Sequence, residues 1–108
     1  MAERFAISFS LSAKSEFDAL KTFDQRRVAD AIAAKLIFGP VLPSHGKKNL
    51  GNEPANFAYV PPLWELRMAD WRVFYTVSMD DRNVLICGVR RKPPDLTTAQ
   101  VLNEDDSD

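Results

Sequence analysis

The chain has 108 residues, 45% of them hydrophobic and 27% charged, with a formal net charge of −1. This is the balance of one soluble globular domain, large enough to bury a modest core without staples. An intramolecular disulfide is excluded because Cys87 is the only cysteine. No long apolar run and no basic-then-apolar leader is present, so neither a membrane span nor a secretory signal is expected and the location reads as cytoplasmic.

Residues 4–11 alternate Phe5, Ile7, Phe9 and Leu11 with smaller residues, which predicts a first strand with one apolar face. Ser12 is placed to cap a helix over residues 13–22, with Ala13, Phe17 and Leu20 on its buried side. Asp24 is placed to cap a second, from Gln25 to about Phe38, in which Val28, Ala31, Ile32, Lys35 and Leu36 follow helical spacing. Gly39-Pro40 ends it, and the short link at Phe23-Asp24 predicts an antiparallel helical pair. From Val41 to Pro62 periodicity stops. Two glycines, four of the seven prolines and three asparagines fall there, together with His45, Lys47 and Lys48, and the stretch reads as one long loop.

The run Trp64 to Val77 alternates twice, breaking at Ala69-Asp70, and predicts a hairpin. With those two residues as the turn, Met68 faces Trp71, Arg67 faces Arg72, Leu66 faces Val73 and Glu65 faces Phe74. One face then carries Trp64, Leu66, Met68, Trp71, Val73, Tyr75 and Val77, half of a core. The other carries Glu65, Arg67, Arg72 and Phe74. Two arginines directly opposed destabilise a sheet unless something lies between them. Glu65 is one such partner and an external anion is the other, since the planar fork of arginine suits phosphate.

A turn around residues 79–83 leads to Val84–Val89, a continuous apolar run expected of a central strand, in which Cys87 reads as a small buried hydrophobe. Arg90-Arg91-Lys92 prolongs it, Pro93-Pro94 stops it, and residues 97–102 predict a short last helix. Four of the 15 acids, Glu104, Asp105, Asp106 and Asp108, follow, leaving a mildly basic body. The domain is therefore taken as 1–102, with 103–108 an acidic, disordered tail. The expected class is α+β, order β-α-α-β-β-β: a helical hairpin on one face of a four-stranded, mostly antiparallel sheet. Two helices cover only one face, so the other is expected to stand partly open with its arginines exposed.

That order, the Trp64-Glu65-Leu66-Arg67 and Trp71-Arg72-Val73-Phe74-Tyr75 strands and the basic end of the last strand resemble the RelE/ParE superfamily of bacterial toxins over roughly residues 4–92. The resemblance implies a toxin held inactive by a cognate antitoxin that wraps the sheet face and helices. In the RelE branch such proteins cleave messenger RNA on the ribosome without a metal or cofactor, the ribose 2′-hydroxyl attacking the adjacent phosphate. In the ParE branch they poison DNA gyrase and lack the ribonuclease residues. Carried over, Arg72 matches the arginine that holds the scissile phosphate, Arg67 a basic position on the strand before it, and Arg91 or Lys92 the basic residue closing the last strand. Glu65 is the candidate general base, although RelE itself has two lysines where this chain has Leu63 and Glu65. Thr97-Thr98 stand where several members have a tyrosine or histidine. Lys47, Lys48, Arg90 and the aromatic ring of Phe74 are the candidate nucleic-acid contacts. A metal-independent endonuclease is the leading expectation; a gyrase inhibitor and a relic that only binds antitoxin are the alternatives.

Overall fold

The computed structural model describes residues 3–44 and 46–104. Along the chain come β1 (Ala6–Phe9), α1 (Leu11–Asp18), α2 (Thr22–Leu36), β2 (Lys47–Gly51), β3 (Leu63–Met68), β4 (Trp71–Ser78), β5 (Asn83–Arg91) and α3 (Thr98–Leu102). The strands form one sheet in the order β1-β5-β4-β3-β2. β1 runs parallel to β5, and the other neighbours are antiparallel. The α+β class stands, but the sheet has five strands and not four. The added strand is β2, inside the stretch read as loop, with Lys47 opposite Leu66 and Asn49 opposite Trp64. Its Lys-Lys-Asn-Leu-Gly sequence has no alternation to announce it. The open backbone groups of β3 recruit it, because an unpaired edge takes whatever segment reaches it.

The helices start slightly away from the expected places. Ser10, rather than Ser12, caps α1, its Oγ accepting from Ala13 N at 3.1 Å. Lys21 precedes α2 and offers no side-chain cap, while Asp24 sits in the first turn, where a carboxylate suits the helix dipole. Val28, Ile32 and Leu36 are buried as the spacing requires. They join Ala13, Trp64, Leu66, Val73, Tyr75, Val84, Ile86 and Val89 in the main core. The Tyr75 hydroxyl finds a partner there, donating to Pro40 O at 2.7 Å.

The β3–β4 hairpin has the expected register: Met68 opposite Trp71, Arg67 opposite Arg72, Leu66 opposite Val73, Glu65 opposite Phe74. Ala69, at its turn, takes φ 53°, a left-handed value costly for a residue with a Cβ. On the other side of β4, Tyr75 lies opposite Ile86 but Phe74 lies opposite Gly88, so Cys87 is an extra, bulged residue.

The second face of the sheet is not open. Leu63, Phe74, Val101 and Leu102 are fully buried in a separate cluster, with Leu50, Ala55, Phe57, Tyr59 and Leu96 packed around them. A roof made of the loop after β2 and the segment after β5 covers it. The close approach depends on Gly88: a Cβ there would meet the rings of Phe57 and Phe74 at 3.4 Å. α3 is held by a capping box, Thr97 Oγ1 accepting from Gln100 N and Gln100 Oε1 from Thr97 N.

Candidate functional site

Register brings three arginines into one row on the roofed face. Arg67 on β3 is opposite Arg72 on β4, and Arg72 is opposite Arg90 on β5. Like charges in adjacent strands repel, and the row persists because its members have different environments. Arg67 is exposed, and its side chain makes no hydrogen bond or ion pair among the described residues. Arg72 is only 5% exposed. Its Nη1 donates to Ala69 O at 2.8 Å and Trp71 O at 2.7 Å, which ties it to the hairpin turn. Its Nε lies 3.9 Å from Glu65 Oε2 and has no acceptor among the described residues. Burial pushes the Arg72 guanidinium below its ordinary range, and the Glu65 charge opposes that shift.

Arg90 is held at Nε and Nη1. Its Nε donates to Glu16 Oε2 at 3.0 Å, and its Nη1 donates to Val101 O and Leu102 O at 3.0 and 3.1 Å. The guanidinium carbon sits 5.2 Å from the centre of the Phe57 ring. Glu16 reaches the strand as well, Oε1 accepting from Val89 N at 3.0 Å. A carboxylate on α1 thus replaces a neighbouring strand where β5 runs past the end of β1.

Glu65 is 3% exposed and accepts from Thr98 Oγ1 at 3.0 Å. The carboxylate offered as a base is therefore covered by α3. Phe74 is completely buried, which removes it from base stacking and from any antitoxin in this arrangement. Lys47 serves the fold, its Nζ donating to Lys35 O at 3.3 Å and Gly39 O at 2.9 Å beyond the end of α2. Burial, helped by the charge of Lys35, lowers its pKa from the ordinary lysine value. Lys48 is exposed on the strand residue opposite Glu65. Arg91 is exposed and pairs with Asp70 at 3.1 Å, and the backbone N–H of Lys92 donates to Asp70 O. His45 and residues 105–108 lie outside the described residues. Of the expected tail, Asn103 and Glu104 are described, and both bond to the loop after β2: Asn103 Nδ2 to Pro54 O, Asn56 Nδ2 to Glu104 O.

The structure thus brings together Arg67, Arg72, Arg90 and Glu65 but roofs all except Arg67. Sequence reasoning missed Glu16, Thr98 and Phe57, the residues that occupy the charged groups. A signal existed for one of them. Ala55, Phe57 and Tyr59 alternate with polar or small residues inside the supposed loop, the period of a covering strand-like segment.

A sheet with two helices on one face and a basic last strand defines a RelE-like toxin fold. A chain of the archaeal RelE–RelB complex from Pyrococcus horikoshii OT3 superposes with a TM-score of 0.64 at 17% identity, covering 84% of this chain and 98% of that one. A chain of the RelBE2 toxin–antitoxin complex from Mycobacterium tuberculosis gives 0.63 at 19% identity, covering 82% and 99%. The isolated E. coli RelE toxin gives 0.60 at 13%, covering 82% and 85%. No curated relative matches the sequence. Residues 7–92 match the ParE toxins of type II toxin–antitoxin systems, and the chain belongs to that family.

Proposed function

We propose that this chain is a toxin that disables DNA gyrase by binding it, as the ParE branch does, and that it does not cleave RNA. The observation that carries this reading is the burial of Arg72 and Glu65, with Glu65 held by Thr98 of α3 and Arg72 Nη1 committed to two backbone carbonyls. A ribonuclease of the RelE type needs its phosphate-holding cation and its base within reach of the message. Here both are under a roof.

Its antitoxin docks on the opposite side. An apolar groove of about 280 Å³ lies between β1 and the two helices, lined by Ile7, Phe9, Phe17, Ile32 and Ile37 with Lys14 at the rim. Leu11 is 92% exposed at the start of α1, and Phe23 is 70% exposed at the start of α2. An apolar groove together with exposed apolar residues on the same two helices suits a partner that stays bound. Expression of the chain alone should arrest bacterial growth, and the antitoxin encoded beside it should restore growth.

The deciding experiment runs two reactions with one protein preparation. Purified toxin is added to gyrase supercoiling relaxed plasmid, and to a programmed ribosome whose message ends are mapped for a 2′,3′-cyclic phosphate. Blocked supercoiling with intact message is the expected result. Cut message with unaffected gyrase would overturn the proposal.

A further inference from the structure

The sheet ends in two edges, and they are built differently. β2 carries Lys47, Lys48 and an irregularity between Asn49 and Gly51, features that keep an edge from pairing further. β1, with the sequence Ala-Ile-Ser-Phe, has no charge, no proline and no bulge. The N–H groups of Ala6 and Ser10 donate toward β5, to Arg82 O and Ile86 O at 2.9 Å each. Backbone groups alternate along a strand, so the N–H and C=O of Ile7 and Phe9 point away from β5. None of those groups has a backbone partner among the described residues. The open stretch is bounded on both sides. At Phe5 the edge is closed by the N–H donating to Ile37 O at 2.8 Å, and from Leu11 the chain is helical.

We propose that the chain, when free, pairs β1 with β1 of a second copy about a two-fold axis, joining the two sheets into one. A single register serves both copies. Ile7 opposite Phe9 of the second copy, with Ser8 on the axis, satisfies the open N–H and C=O groups of both chains. A shift one way meets Ile37 O, and a shift the other way meets helical Leu11. In this register Ile7 and Phe9 of both copies lie side by side on the helix face, at the mouth of the apolar groove they line. Leu11, 92% exposed, comes to the end of the second copy's α2, where Phe38 is 50% exposed. The charges beside the groove fit a like copy. Lys14 pairs with Asp18 at 2.6 Å on α1, and Arg26 stands one turn from Asp30 on the side of α2 that carries Ala29 and Ala33. Each face is thus balanced and complementary to itself, and a strongly acidic or basic partner finds no opposing field there. The pairing does not depend on which target the toxin disables, and it stands whether or not an antitoxin docks in the adjoining groove.

The axis fixes the test. Ser8 faces Ser8 of the second copy as a non-hydrogen-bonded pair, with Cα atoms about 4.5 Å apart, within reach of a disulfide. Purified full-length Ser8→Cys in oxidised glutathione should therefore run as a covalent dimer. Ala6→Cys, roughly 13 Å from its own mate along the paired strands, should not, and neither should wild type with its buried Cys87. Sedimentation equilibrium of the wild type should show a reversible dimer with a micromolar dissociation constant, as a small interface gives. Ala6→Lys together with Leu11→Lys changes two exposed positions, places lysines from both copies around the axis and should weaken the dimer at least about tenfold. A wild type that stays monomeric at every soluble concentration would overturn the proposal, even should Ser8→Cys not fold. Cross-linking of Ala6→Cys as fast as Ser8→Cys would overturn it as well.

Discussion

The two faces of this sheet are buried by different means. On the helix face, apolar side chains from α1 and α2 interlock with Leu66, Val73 and Ile86, and the one polar group at the centre, the Tyr75 hydroxyl, has its partner in Pro40 O. On the roofed face a smaller apolar cluster is flanked by a buried acid, a buried arginine and a half-buried one, held by backbone carbonyls and a threonine. The first face is a core in the ordinary sense. The second is a charged surface covered by the loop after β2 and the segment after β5, and it carries the unmatched group, Arg72 Nε. Two faces of one sheet can therefore be equally dry while only one is optimised for stability.

The largest effect expected is on the ring that roots the roof. Phe74→Ala should cost about 3–5 kcal/mol in urea unfolding, as much as the helix-face change Leu36→Ala at about 2–5 kcal/mol. A cost well below that range would mean the second cluster is packed only loosely. Next comes the ionic part. Glu65→Leu leaves Arg72 buried without its carboxylate and should cost on the order of 3 kcal/mol, whereas adding Arg72→Met should recover most of it. A double variant no more stable than the single would show that the charges contribute net stability to this face.

Alkaline titration separates the faces by a smaller margin. Burial raises the Tyr75 pKa above its ordinary 10.0. The unfolded phenol ionises first, so above about pH 10 the unfolded chain binds fewer protons than the folded one. Stability is whole below that pH and falls as the pH rises through it. Tyr59, in the roof, is also raised, by burial and by the charge of Glu53. Melting temperatures from pH 8 upward, roughly across the range in which tyrosine ionises, should flatten more in Tyr75→Phe than in Tyr59→Phe. The reverse order would place the drier tyrosine in the roof. The smallest effect lies at the hairpin tip, where Ala69 has φ 53°. Ala69→Gly relieves left-handed strain but adds unfolded-state entropy, for a net gain of about 0.5 kcal/mol by thermal melting.

Much of this was legible in the sequence, and the reasons are local. The hairpin register followed from period-2 alternation on both sides of Ala69-Asp70, because a one-residue slip would have put Leu66 and Val73 in water. The burial of Val28, Ile32 and Leu36 followed from helical spacing alone. β2 was illegible because its place is set by its neighbour's edge and not by its own residues. The roof was illegible for a related reason. Val101 and Leu102 are two apolar residues in a five-residue helix, too short for a periodic signal, and their burial depends on Arg90 reaching the helix end from another element. Alternation placed Arg67 and Arg72 on one face, but Arg90 joins their row only through the pairing of β5 with β4. Their coverage was not readable, since it rests on contacts such as Glu16 to Arg90, 74 residues apart.

Cys87 decides the sidedness of everything after it. Side chains along β5 keep a two-step rhythm through Val84 and Ile86, both turned to the helices, and the bulge inserts a beat before Val89 resumes on that side. Pair Cys87 opposite Phe74 in a regular ladder, and the frame shifts by one: Arg90 would fall opposite Trp71, whose ring packs against the helix-side core, and a guanidinium would be driven into that core. The bulge thus absorbs one small residue so that three consecutive cations keep their sides of the sheet; a chain lacking Cys87 would keep the same pairs in an unbroken ladder, whereas a one-residue insertion with no second bulge would exchange inside for outside beyond it.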